Sequence, residues 1–250
     1  MSGLINQIKA DKIKLSRNPF FILHLLIPVV GIVVLIIYMG ITSYQAQNFT
    51  AGCFQVLGII YPVVIALLTS IISEQETEAG GGFFMLAVSS RQKALFSKLL
   101  YLLFSGLISC LLFAFGYGIL ASIARAGYNP SLVLLAKAAF ALWGTSIFQY
   151  LLHTWLSFRF GRGANFGMAA FEVLLSALML TGLGDTIWMI FPCAWSSRMT
   201  SIILNASIEG TILSFLPQEL IYTIVGVLTL LMLIFFFCWF SRWEGQGSEE

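Results

Sequence analysis

Ser73-Glu74-Gln75-Glu76-Thr77-Glu78-Ala79-Gly80-Gly81-Gly82-Phe83-Phe84-Met85-Leu86 is the stretch from which the rest of the chain can be read. No charged residue separates Arg17 from Glu74, and beyond the glycines a basic exit of Arg91, Lys93 and Lys98 leads into another apolar run. Three of the eleven carboxylates and three of the thirteen Lys and Arg therefore fall in about 25 residues. Unpaired charge is expensive to bury in hydrocarbon, so this stretch is a loop in water between two membrane segments.

Composition agrees. Of 250 residues, 59% are hydrophobic and 10% charged, against about 25% charged in soluble domains. A crossing helix takes about 20 apolar residues, and the apolar runs predict an all-α integral membrane protein with six spans at 20–38, 55–73, 99–123, 138–158, 166–184 and 220–240. Residues 1–18 mix Leu4, Ile5, Ile8, Ile13 and Leu15 with Lys9, Lys12, Lys14 and Arg17, which suits either an amphipathic helix on the inner leaflet or a frayed basic tail. The run after Arg17 is too long for a signal-peptide core and reads as the first anchor. Residues 185–219, broken by Pro192 and Ser196-Ser197-Arg198, are expected not to cross but to be partly inserted or to lie at the outer face. Trp239, Arg242 and Trp243 close the last span in an interfacial pattern.

Six crossings put both termini on one side. Lys9, Lys12, Lys14, Arg17, Arg91, Lys93, Lys98, Arg159, Arg162 and Arg242 share that side, against Arg125, Lys137 and Arg198 on the other. The positive-inside rule makes the termini and the 74–98 loop cytoplasmic.

The chain has no GxxxxGK[ST] phosphate loop, no HExxH and no GxSxG, and its only histidines are His24 and His153. It is expected not to be an enzyme and to need no cofactor, metal or nucleic-acid partner. Cys53, Cys110, Cys193 and Cys238 show no metal-ligand spacing. Cys110 and Cys238 read as packing residues, and Cys53 and Cys193 as either an outer disulfide or free thiols.

In the loop, Glu74 and Glu78 stand one helical turn apart and Glu76 points elsewhere. They form an acidic patch for a basic partner, or only keep the loop in water. Gly80, Gly81 and Gly82 permit backbone angles other residues resist. Phe83, Phe84, Met85 and Leu86 then make an apolar knob beside water, as docking sites do. Together they suggest a short coupling helix seated in a groove on a motor subunit. Glu172 is an ionisable group at membrane depth. His153 and Glu172 are almost equidistant from the turn at Arg162 and Gly163, so at about 1.5 Å per residue they reach the same depth. Either the two side chains meet, or Glu172 snorkels to the inner interface. Trp188, Phe191, Trp195 and Arg198 either contact an amphipathic substrate at the outer leaflet or form an interfacial belt.

Four runs carry a family resemblance: Tyr150-Leu151-Leu152-His153, Leu156-Ser157-Phe158-Arg159-Phe160-Gly161-Arg162-Gly163, Leu178-Met179-Leu180-Thr181-Gly182-Leu183-Gly184-Asp185, and Pro192-Cys193-Ala194-Trp195 with Arg198. With Glu74-Gln75-Glu76, they resemble the G-type permease subunits of lantibiotic-immunity ABC transporters over essentially the full length. The resemblance implies a six-span permease of the type-2 ABC exporter class in a bacterial plasma membrane. It would be paired with an E-type permease and driven by a separate ATPase, in two copies, to clear peptide antibiotics from the outer face. Glu78-Ala79-Gly80-Gly81-Gly82 departs from the acidic-then-histidine stretch of that family. Two other readings stay open: an exporter permease for a lipid or drug, and a membrane scaffold or sensor without transport.

Overall fold

The computed structural model describes residues 2–245 apart from 79, 81, 89 and 210–216; the side chains at 2, 84, 206–209 and 218 also fall outside the described set. Gly81 and the Phe84 side chain, both assigned above to coupling, therefore lie outside the described residues.

Among the described residues every regular element is helical: α1 (Ser2–Ser16), α2 (Phe20–Ile41), α3 (Ala46–Thr77), α4 (Phe83–Leu86), α5 (Arg91–Ala124), α6 (Leu132–Thr145), α7 (Ile147–Met179), α8 (Pro192–Glu209) and α9 (Gln218–Ser241). Five helical stretches are long and apolar enough to cross a membrane: α2, α3, α5, Leu132–Met179 and Glu219–Ser241. The chain is a membrane protein.

The fourth stretch has 48 residues, about 72 Å if straight, against a hydrocarbon core of about 30 Å. It is not straight. α6 gives way to α7 at Ser146, and within α7 Gly161 adopts φ 79 and ψ −177, outside the helical region and open to glycine alone. There the chain folds back, so that His153 touches both Asn165, twelve residues on, and Glu172, nineteen residues on. The expected six spans thus appear as five apolar stretches, one of them doubled back into arms at 147–160 and 162–179.

Other boundaries shift for one reason. α3 begins at Ala46 rather than 55 and α5 at Arg91 rather than 99, because hydropathy marks the end of the apolar run and not the end of the backbone ladder. The fifth expected span stops at Met179, and Gly182–Gly184 is a 3-10 turn.

The segment expected to be partly inserted or to lie at the outer face contains α8. α8 does not lie along a surface; it is buried between α3, α6 and α7, with Ala194, Trp195, Ser196, Ser197, Thr200 and Ser201 all enclosed. Gly58 of α3 makes the fit possible: a Cβ there would sit 2.6 Å from both N and Cα of Ser197. Pro62 adds a bond. Lacking an N–H, it leaves the Gly58 carbonyl without its helical donor, and Ser196 Oγ donates to that carbonyl at 3.3 Å. α2 repeats the device, since Pro28 frees the His24 carbonyl and Ser109 Oγ of α5 donates to it at 2.6 Å.

α1, α4 and Trp243 gather at one end of the bundle, called proximal below; the turns at 42–45 and 125–131 mark the distal end.

Candidate functional site

A polar seam runs through the bundle between α3, α7 and α8. At its centre His153, fully buried, places Nε2 2.8 Å from Glu172 Oε2 and Nδ1 2.7 Å from Asn165 Oδ1. The Asn165 amide nitrogen donates to the Ala66 carbonyl at 3.0 Å, with Thr69 Oγ1 at 3.1 Å and Ser70 Oγ at 3.0 Å. A backbone carbonyl can only accept, so the amide nitrogen must face α3 and the oxygen must face His153. Nδ1 therefore carries a hydrogen. One further proton lies between Nε2 and Glu172, giving an ion pair on one side and a neutral pair on the other, with no net charge either way. That neutrality is what lets two ionisable groups stay buried.

From this centre the seam continues both ways. Proximally, Ser73 of α3 and Ser157 of α7 share a short hydrogen bond. Distally, Gln149 donates to Glu172 Oε1 at 3.3 Å and accepts from the Cys193 N–H at 3.3 Å. Ser176 Oγ donates to the Cys193 carbonyl at 3.1 Å. Cys193 sits in the first turn of α8, so the positive end of that helix lies toward the Glu172 carboxyl.

The proximal end holds a second polar centre. Lys98 of α5 lies 2.7 Å from Glu76 Oε1 and 3.0 Å from Asp11 Oδ1, and Lys14 reaches Glu76 Oε1 at 2.9 Å. Two cations thus balance two carboxylates, and Asp11, Glu76 and Lys98 are all buried. Gln75 Nε2 donates to the Lys14 carbonyl at 2.9 Å, and Tyr101 Oη to the Ile8 carbonyl at 2.9 Å. α1 is therefore bolted to α3 and α5 through its acid and its lysine, neither a frayed tail nor a helix resting on lipid alone. Glu76 is an internal tie and is not presented to a partner. Glu78 is exposed, and Glu74 is half-buried with Arg162 at 3.6 Å.

The glycine turn uses positive φ at Gly80 (128) and Gly82 (88). The Gly82 N–H returns to the Glu76 carbonyl at 3.0 Å, and its Cα packs against the Trp243 ring, leaving no room for a Cβ. Arg91 Nη1 donates to the Trp243 carbonyl at 3.2 Å. Of the apolar knob, Met85 is buried in the core, Leu86 is partly covered and Phe83 is 64% exposed.

At the distal end, two residues read as substrate contacts belong to the interior. Trp195 is fully buried, its Nε1 donating to the Met189 carbonyl at 2.8 Å, and Trp188 is 2% exposed. Phe191 is partly buried. Arg198 caps the second arm of α7 through the Met179 carbonyl at 2.7 Å and the Thr181 carbonyl at 3.1 Å, and pairs with Asp185 at 2.8 Å. Cys53 and Cys193 are free, buried thiols. Among the described residues no three His, Cys, Asp or Glu side chains converge as metal ligands do.

Sequence reading missed Asp11, Gln149, Asn165 and the tie from Lys98. Asp11 had a signal, being the sole acid ahead of Glu74; the others are amides or long-range partners that no local pattern marks.

Comparison with protein-family models, with curated proteins and with solved structures returns no match.

Proposed function

We propose that the chain is the membrane-spanning permease subunit of an ABC-type exporter that protects a bacterium from lantibiotic-type peptides, with energy supplied by a separate ATPase subunit. The observation that carries this reading is the proximal knot. Phe83 stands out from a loop whose next residues are anchored: Gly82 on Trp243 at the end of α9, Met85 in the core, and Glu76 on Lys98 of α5 and Lys14 of α1. Through these contacts a push on that short helix would reach α1, α5 and the end of α9.

The doubled-back fourth stretch supports six crossings, since its second arm at 162–179 is about 27 Å long, enough to span a hydrocarbon core of about 30 Å with its flanks. The basic excess at the proximal end supports a cytoplasmic position for that end, where an ATPase would dock. ATP-driven closure of the motor would tilt the spans as bodies, with the α3–α7–α8 seam as the surface on which they move. The partners are an E-type permease and two copies of the ATPase.

The test is a susceptibility panel in cells carrying the complete operon, with and without this gene. Sensitivity to lantibiotics should rise on deletion. Unchanged lantibiotic sensitivity with raised sensitivity to an unrelated amphipath would give the same machine another cargo, and no change to any agent would leave a scaffold.

A further inference from the structure

α9 packs on the first arm of α7, where Trp155 meets Phe235 and Trp239, and touches α5 less. Between α5 and α9 this leaves an apolar groove of about 740 Å³. α5 lends it Phe96, Leu100, Phe104 and Leu107, and α9 lends it Leu233 and Phe237. Trp143 and Ile147, on either side of the α6–α7 junction, line it as well, and the Trp143 Nε1 is already engaged, donating to the Leu103 carbonyl at 2.8 Å.

Depth and charge limit what fits. From Phe96 to Leu107 the groove follows α5 for about 16 Å, one leaflet of a hydrocarbon core about 30 Å thick. α5 begins at Arg91 on the proximal side, so the leaflet is the proximal one. A neighbouring membrane-spanning helix would need a groove through the whole core, whereas an acyl chain needs one leaflet. At the mouth, Lys93 precedes Phe96, Leu100, Phe104 and Leu107 at spacings that keep to one helix face, and Lys93, Phe96, Leu100 and Phe104 are all exposed. Lys93 pairs with no carboxylate among the described residues. Arg91 ties the start of α5 to the Trp243 carbonyl at 3.2 Å, which brings the exposed Arg242 of the α9 end to the same mouth, with Glu244 two residues on as a partial counter-charge.

We propose that the groove is a binding site for an anionic phospholipid of the proximal leaflet. One acyl chain lies between α5 and α9, and the headgroup phosphate pairs with Lys93 and Arg242. α9 is the least buried of the five apolar stretches, and the bound chain supplies the contact to α5 that its own side chains do not make. The site is the same whether or not the chain transports anything.

The experiment uses the full chain in nanodiscs of equal phosphatidylglycerol and phosphatidylcholine, with a trace of either lipid carrying a diazirine in mid-chain. After irradiation, adducts are mapped by mass spectrometry. Phosphatidylglycerol should label residues 96–107 and 233–237 about tenfold more than phosphatidylcholine, the ratio that one or two basic side chains near the surface support. Residues 115–123 of α5, in the opposite leaflet, should label equally with both. Lys93→Gln with Arg242→Gln should bring the groove ratio close to one while keeping the adducts, since the acyl chain still fits. If that variant fails to accumulate, about 0.5 M salt should lower the parent's ratio by screening. Leu100→Trp, which fills the groove, should cut labelling of 233–237 by both lipids. Equal labelling of the parent, or a ratio that survives both charge removal and salt, would overturn the proposal. So would a groove without adducts from either lipid; cross-linking of two copies through Phe104 would then give it to a second copy of the chain.

Discussion

Asn165 accepts from His153 Nδ1 at 2.7 Å while its amide nitrogen faces the Ala66 carbonyl at 3.0 Å. One side chain therefore ties α7 to α3 and decides which imidazole nitrogen holds a hydrogen. Everything on the other side of the ring follows from it, because Nε2 and Glu172 are left to share a single proton.

That sharing separates two substitutions. In Glu172→Gln the new amide can donate to the bare Nε2 and accept from Gln149, so stability should stay within about 1 kcal/mol of the parent. In Glu172→Leu, His153 Nε2 and the Gln149 amide both lose their partner, each at about 1–3 kcal/mol. Unfolding in detergent measures the difference. Equal losses from the two variants would mean that the site needs the full negative charge. Normal folding of Glu172→Gln with lost transport would give the shared proton a functional role.

The proximal ion cluster makes a graded prediction. Lys98 is 3% exposed between Asp11 and Glu76, whereas the Lys14 side chain is 39% exposed. Removing one partner of a buried pair leaves uncompensated charge and costs about 3–5 kcal/mol; an exposed pair is worth about 0–1 kcal/mol. Lys98→Met should lower stability by the larger amount and release α1, read as faster proteolysis after residue 17. Lys14→Met should cost less than Lys98→Met, because the Lys14 ammonium is partly screened by water while Glu76 keeps Lys98. The ranking is the point, and a reversed order would contradict the burial on which it rests.

α8 depends on a missing side chain. Gly58→Ala places a Cβ 2.6 Å from backbone atoms of Ser197, and backbone cannot rotate away as a side-chain tip can. The variant should displace α8 and expose Cys193 to a membrane-permeant maleimide. Gly52→Ala, six residues along α3 with nothing within 4 Å of its Cβ, is the matched control and should label as the parent does.

These contrasts also show what a linear reading can see. The spans were legible because long uncharged runs have few alternatives in a bilayer, and the depth match of His153 and Glu172 followed from equal spacing about one turn. α8 was hidden by its serines and threonines. Ser196, Ser197, Thr200 and Ser201 look like loop chemistry, yet Thr200 Oγ1 donates to the Ser196 carbonyl at 2.8 Å and Ser201 Oγ to the Ser197 carbonyl at 2.7 Å. Their polarity is absorbed by the helix itself and by α3. Glu76 hides for the opposite reason: its partners Lys14 and Lys98 are 62 and 22 residues away in the chain, so local sequence shows an acid beside water where the fold has an internal ion pair.

The loop gives the sharpest separation of coupling from folding. Phe83 and Met85 are two residues apart, but Phe83 is 64% exposed and Met85 2%. Phe83→Ser is a surface change and should alter stability by no more than about 0.5 kcal/mol, whereas truncating the buried Met85 to Ala should cost about 2–5 kcal/mol. If Phe83 seats in a motor subunit, Phe83→Ser should keep the protein at its normal membrane level and melting temperature. The same variant should weaken co-purification of the ATPase and abolish resistance in cells with the full operon. Met85→Ala should lose resistance only in proportion to lost protein. Resistance that survives Phe83→Ser at normal protein level would remove the knob from the coupling path and leave Glu78, the remaining exposed acid of the loop, as the contact to examine.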